Sequence, residues 1–381
     1  MANLKVLVGT SKGVFILTRA KGSEEWGVSG PFCDLWPINH VIGDAATGQL
    51  WAGGGSEWQG AGIWRSNDGG VTWTLSQLSH GSMAEWAAND PDFAEMIGGV
   101  PAPAPFTGDI DSIWSLVAVD GRLFAGSKPA HFFTSADGGE TWEKLPALSE
   151  HPSRDDWSPG GAGLILHTIV PKPDTPGHMT IAISAAGVFT TEDGGGSWER
   201  SNRLDNAPSH NHPHHGNDGE IGHCVHNMVR APSEPDRLYQ QNHHGVFRST
   251  DGGRNWRDIT EGLPSSFGFP ISVHPDDPLT LWTIPMNGDI QGRYPPGASA
   301  AVWKSVDGGE SWAAMREGLP QENCYFTVLR QAMATDRSSP VGVYFGTNTG
   351  SVFASGDEGE TWTEIARHLP TVLSVEALQS A

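Results

Sequence analysis

Short apolar stretches with period-two alternation recur along the whole chain. They read "QLWAGG" from 49, "RLFAGS" from 122, "MTIAIS" from 179, "RLYQQN" from 237, "TLWTIP" from 280 and "GVYFGT" from 342. Each is strand-length and is followed by a second stretch such as "GIWRS", "GVFTT", "GVFRS" or "SVFAS". Branched and aromatic residues at this spacing, bounded by glycine, predict paired β-strands rather than helices. The second strand runs straight into a turn of constant shape: "SNDGGVTW" at 66, "SADGGETW" at 135, "TEDGGGSW" at 191, "STDGGRNW" at 249, "SVDGGESW" at 305 and "SGDEGETW" at 355.

The turn aspartates are Asp68, Asp137, Asp193, Asp251, Asp307 and Asp357, spaced by roughly 50 to 70 residues, enough for one supersecondary unit each. The amino terminus, "KVLVGTSKGVFILTRAKGSEEW", repeats the frame without the aspartate and closes on Trp26. Seven such units predict an all-β, seven-bladed β-propeller with four-stranded blades, each strand named A (inner) to D (outer). The first unit lacks an A strand, and "LPTVLSVEAL" near the carboxyl end has no sheet of its own. The expectation is that this last strand completes the first blade and removes an exposed sheet edge, making residues 1–381 a single propeller domain. In the turn itself, the aspartate can accept from backbone amides, glycine supplies angles closed to other residues, and tryptophan packs between blades.

Composition agrees with that architecture. Glycine (49) and proline (27) are abundant and charged residues are few (18%), as tight turns between short strands require. The net charge of −21 excludes a nucleic-acid surface, which needs cations against phosphate. No basic segment precedes an apolar run at the start, no stretch is long enough to span a membrane, and the cysteines are only Cys33, Cys224 and Cys324. These features fit a reducing, cytoplasmic setting.

Candidate chemistry gathers on one side. The C–D and A–B turns share one face of such a ring, and the B–C loops and D–A connections share the other. The long insertions, 80–109, 149–161, 206–220 and 286–300, are all of the second kind, so the site is expected opposite the repeated turns. His40, His167 and His226 align on inner strands, with Ser115, Ser272, Thr327 and Ser374 in the other blades, and His243 stands near the same mouth. His40, His167, His226 and His243 are candidate ligands for zinc, copper or iron, since neutral imidazole suits each of these ions. His226 and His167 are the candidate acid/base groups, with Glu220 and Asp156 as carboxylate partners. Cys224 shares a strand face with His226, an arrangement that suits either a nucleophile or inert packing. Arg293 is the candidate anchor for a substrate carboxylate, ahead of Arg154 and Arg330. Trp58, Trp157 and Tyr294 are candidate stacking surfaces for a small molecule or glycan.

The S-x-D-x-G-x-T-W turns resemble the Asp-box (BNR) repeat of sialidases, sortilin-type receptors and photosystem II assembly factors. Together with "GLILHTIV", "GHCVHNM" and "FGFPISVHP", nearly the whole chain resembles a group of bacterial Asp-box propellers commonly labelled exo-α-sialidase or glycosyl hydrolase. The resemblance implies the fold and leaves activity open, because the repeat occurs in enzymes and binding proteins alike. The Arg-Ile-Pro signature of true sialidases is absent, and none of that family's catalytic residues carries over to a position here. Three readings therefore stand: a hydrolase or lyase with its site at the channel mouth, a non-catalytic propeller binding a peptide, glycan or assembly partner, and a sialidase.

Overall fold

Each predicted pair of strands becomes the centre of a four-stranded antiparallel sheet, and seven sheets form the ring. The computed structural model describes residues 4–20, 22–23, 25–201, 203–204 and 224–379. The inner A strands are Val372–Gln379 (blade 1), Ile38–Gly43, Ser112–Val119, Leu166–Pro171, Val225–Arg230, Gly268–Val273 and Met333–Thr335 (blade 7). Blade 5 carries a fifth strand, Arg203–Leu204, parallel to its outer strand Asn255–Asp258.

The closing strand does what edge removal demands. Val372–Gln379 pairs antiparallel with Leu4–Thr10, from Leu4 opposite Gln379 to Thr10 opposite Val372. The blade therefore joins the two ends of the described chain in one sheet. Val372 and Val375 are buried in a cluster with Val6, Val8, Phe345 and Phe353, so the same strand also seals blade 7 to blade 1.

The repeated turn is a small hydrogen-bonded cage. In the first copy Ser66 Oγ donates to Asp68 Oδ1 at 2.8 Å and accepts from Gly70 N at 2.9 Å, and Thr72 donates its hydroxyl to Asp68 Oδ2 at 2.6 Å. The other five copies repeat the Ser/Thr–Asp and hydroxyl–glycine bonds. These donors hold Asp68 and Asp307 down at about 2. The second glycine is needed twice over: Gly70 has φ +98°, and a Cβ there would run into Ile16 of the preceding blade. The tryptophans split between two uses. Trp73, Trp142 and Trp362 close their own turns onto Gly70, Gly139 and Gly359, whereas Trp256 and Trp312 donate to Ser201 and Ile259 of the preceding blade. The turns are scaffold.

Six A strands break register near the upper mouth, those of blades 1 and 6 among them, and the bulges of blades 2 to 5 place the polar residues discussed below. Register breaks between Ile38 and His40, Ile113 and Ser115, Leu166 and Thr168, and Val225 and Asn227. His167 and His226 occupy the bulges of blades 4 and 5, but the bulge of blade 2 is Asn39. His40 therefore matches Ser115, Thr168 and Asn227, one place away from the predicted alignment, because a bulged residue shifts the strand's count. Thr327 also leaves the proposed row: it precedes strand A of blade 7 and donates to Arg293 O at 2.7 Å. No helix among the described residues is long and apolar enough to cross a membrane.

Candidate functional site

Polar side chains at or next to the bulges stitch neighbouring blades together. Asn39 Nδ2 donates to Ile113 O (2.8 Å), Ser115 Oγ donates to Leu166 O (2.8 Å), His167 Nε2 meets Val225 O (2.8 Å) and His226 Nδ1 meets Gly268 O (2.6 Å). His40 Nδ1 accepts from Leu116 N of blade 3 at 2.9 Å. Two more bonds cross the hub. Asn227 Nδ2 donates to Arg330 O at 2.7 Å, and Gln331 Nε2 donates to His167 O, tying blade 7 to blades 4 and 5 on the opposite side.

The residues that make these crossings, His167, Asn227 and Gln331, also line a cavity in the hub. It lies on the Asp-box side, about 980 Å³ in volume, walled by the A strands and rimmed by A–B turn residues such as Asp44, Gly121 and Pro173. His40 and His167 line it and His226 does not; His226 groups instead with Cys224 and His243. Burial holds His40 near 4 and His167 well below the ordinary histidine value, the latter helped by Arg330. Both are neutral at pH 7, with Nδ1 of His40 and both ring nitrogens of His167 committed to the scaffold. The predicted four-histidine ligand set is therefore not assembled.

Glu376, which the sequence reading passed over, sits in the wall of that cavity on the closing strand. Burial pushes its carboxyl up to about 7 from 4.5. A raised carboxyl favours the protonated fold, so its stability penalty is absent at low pH and grows as pH rises from the unfolded value through about 7. Glu376→Gln is expected to leave thermal stability at pH 4 unchanged and to raise it at pH 8 by on the order of 2 kcal/mol. Melting curves across that range check the prediction.

The upper mouth holds the denser chemistry, assembled by blades 5 to 7. Cys224 precedes strand A of blade 5, His226 lies on its bulge, and His243 sits in the turn between Leu238–Asn242 and Gly245–Ser249. One ligand atom from each of the three lies within 4.8 Å of the others. The rings of His226 and His243 are 5.4 Å apart and pack on Phe267 and Phe269, which shield them on the blade 6 side. Asp289 Oδ2 is 4.0 Å from His243 Nε2, and its other oxygen holds Arg293 Nε at 2.5 Å. The guanidiniums of Arg330 and Arg293 stand 5.2 and 5.7 Å from the ring centre of Phe269. Arg330 Nε is buried without a hydrogen-bond partner among the described residues.

The electrostatics follow from that packing. Burial, then Arg330, presses His226 well below its ordinary value, leaving a neutral ring whose Nδ1 is engaged by Gly268 O. Burial raises the Cys224 thiol, while Arg330 pulls the other way. A protonated thiol in this setting is a poor nucleophile by itself but becomes a thiolate on a metal.

Other candidates fall elsewhere. Trp157 is buried at 6% exposure, donates to Ser153 Oγ, and packs against Phe189 and Arg154 inside the core, so it offers no face to a ligand. Asp156 is exposed on a short turn between blades 3 and 4, and its carboxylate meets neither His167 nor His226. Trp58 is exposed on blade 2 and joins Trp86 and Phe93 rather than the histidines. Tyr294 reaches the upper mouth, edge-on to Tyr325 at 5.0 Å. Glu220 and the loop histidines His210, His212, His214, His215 and His223 lie outside the described residues.

A model of the BNR/Asp-box repeat matches residues 133–144, the third blade's turn. The same cage recurs in six of the seven blades. The chain is a β-propeller built with the BNR/Asp-box turn. Solved structures similar to this Asp-box propeller include an ancestral GH74 enzyme (14% identity, TM-score 0.54, 86% of this chain and 38% of that one). They also include the GH74 enzyme of Niastella koreensis (13%, TM-score 0.56, 99% and 55%) and YCF48 bound to D1 peptide (17%, TM-score 0.51, 86% and 82%). The Asp-box propeller thus spans well under two thirds of the two GH74 chains. At these identities the likeness is one of fold, shared by enzymes and a peptide-binding protein. No curated protein matches the chain in sequence.

Proposed function

We propose that the upper mouth between blades 5 and 7 is a transition-metal site, and that the protein uses it as a hydrolase on a substrate bearing an anionic group. The observation that carries this reading is the convergence of Cys224, His226 and His243 within 4.8 Å of one another. One sulfur and two neutral imidazoles suit zinc or copper and leave a coordination position open. The bond from His226 Nδ1 to Gly268 O is the outer contact that orients a ligating imidazole. Bound there, zinc would lower the pKa of a coordinated water and polarise a carbonyl.

The chain's own residues supply the rest. Arg330, held over Phe269 with an unpaired Nε, and Arg293, steered by Asp289, offer paired donors to a carboxylate or a similar anion. Phe267 and Phe269 keep bulk water from one side of the pocket. The second reading keeps these residues but has binding without turnover, as a peptide-bound neighbour of the same fold makes plausible.

A chromogenic panel of esters, lactones and glycosides, a sialoside included, each in an anionic and a neutral version, separates them. Turnover is expected only from zinc-loaded protein, with preference for the anionic member. Arg330→Ala should cost that member about 10- to 100-fold in kcat/KM and the neutral one little. Turnover that survives chelation, or an anionic preference that survives Arg330→Ala, contradicts the proposal.

A further inference from the structure

The insertion between blades 2 and 3 is the longest described departure from the repeat, and nothing in the channel uses it. It folds as two helices, α1 (Ser82–Asn89) and α2 (Pro91–Met96), the second capped by the Asp90 side chain, which accepts from Asp92 N and Phe93 N. The cap fixes a tight corner that brings Trp86 and Phe93 together, stacked at 4.3 Å and 11°. Trp58, from the B–C turn of blade 2, meets both rings edge-on at 5.6 and 6.1 Å. This cluster is not core: Trp58 is 42% and Trp86 50% exposed, with Met96 and Val100 beside them in sequence at 72% and 59%. Scattered apolar side chains on a surface need no explanation. A preorganised cluster of large rings does, because burying each one fully would recover on the order of 1.5–3 kcal/mol.

Charge says what would bury it. Residues 66–121 contain eight Asp and Glu and no Lys or Arg, although the chain has 23 cations elsewhere. Glu57, Glu85, Asp92 and Glu95 are all exposed on the elements that carry the rings, and none makes an ion pair among the described residues. Acidic side chains in other blades do find partners, as in Arg65–Glu140 and Arg248–Glu310. Within 66–121 Asp109 pairs with Lys144 and Asp68 is held in its cage, but the elements that carry the rings present four exposed carboxylates without an ion pair among the described residues.

We infer that this face docks a Lys- or Arg-rich segment of another protein, with alkyl stems and cationic heads laid over Trp58 and Trp86 and paired with the surrounding carboxylates. Indole faces attract cations, and long basic side chains bury their methylenes on apolar surface. Nucleic acid and anionic lipid carry the wrong sign. The surface is independent of the metal site, which lies on blades 5 to 7.

The experiment uses the full chain and a fluorescein-labelled peptide of Lys-Leu-Lys repeats, read by anisotropy. A peptide with Glu for Lys and a set of neutral oligosaccharides serve as comparisons. Saturable binding of the basic peptide alone is expected, weakening at least about tenfold between roughly 0.05 and 0.5 M salt. Trp58→Ser with Trp86→Ser should weaken it about tenfold or more without changing net charge, and Glu85→Lys with Glu95→Lys should do the same with the rings intact. The second pair is exposed, so a folding defect in the first leaves the test standing. Equal binding by the tryptophan variant would show that net charge alone attracts the peptide and would overturn the inference. So would salt-independent binding of an oligosaccharide in place of the peptide.

Discussion

A chain cut after Thr371 is expected to lose its folded ring altogether and appear as aggregate in size-exclusion chromatography. Val372–Gln379 pairs along the whole of Leu4–Thr10, and its loss would strip blade 1 of its inner strand and leave that edge open at the hub. Val372 and Val375 are exposed by only 0% and 3%, and each valine contributes on the order of 1.5–3 kcal/mol by burial. Adding a ladder of hydrogen bonds at about 1 kcal/mol each reaches the whole stability of an ordinary domain, about 5–15 kcal/mol. The gentler Val375→Asp should leave a ring whose melting midpoint falls by roughly 10 °C. A truncated protein that is monomeric and melts like the intact chain would refute the closure.

Cys224→Ser, His226→Ala and His243→Ala are each expected to weaken zinc binding by about two orders of magnitude or more, with the ring intact. His40→Ala and His167→Ala should behave in the opposite way. Their ring nitrogens bond to blade 3 and blade 5 backbone, so zinc affinity should hold while stability drops by about 1–3 kcal/mol. Isothermal titration beside thermal melts separates the two groups. If His167→Ala costs as much affinity as His226→Ala, the exclusion of His167 from the ligand set is wrong.

The contrast between these groups marks how far the residues could be read without coordinates. The blades were legible because the Asp-box is local: every contact of Asp68 lies within four residues, so the motif carries its own geometry. The side of the site was legible in part. Of the described insertions only 286–300, with Arg293 and Tyr294, meets His243 at the mouth opposite the cages, and the large cavity opens on the cage side. His40 was misaligned because a bulge adds one residue to a strand and turns every later side chain over. Trp157 was misread because a tryptophan in a proline-flanked loop looks the same whether it lies on Phe189 or in water. The hub crossings Asn227–Arg330 and Gln331–His167 depend on the irregular segment before Met333, where no repeat guides the eye. Glu376 had a signal, a lone carboxylate in the otherwise uncharged "TVLSVEAL". Its meaning required knowing that the strand ends at the centre of the ring.

The account turns on Cys224, His226 and His243 acting as one ligand set. Titration of untagged protein with Co²⁺, followed by electronic absorption, tests this most directly, because a thiolate ligand adds a charge-transfer band that surface histidines cannot. One equivalent should bind with that band, and Cys224→Ser should abolish it. A cobalt spectrum without the band, or one identical in Cys224→Ser, would contradict the metal site and the hydrolase reading built on it.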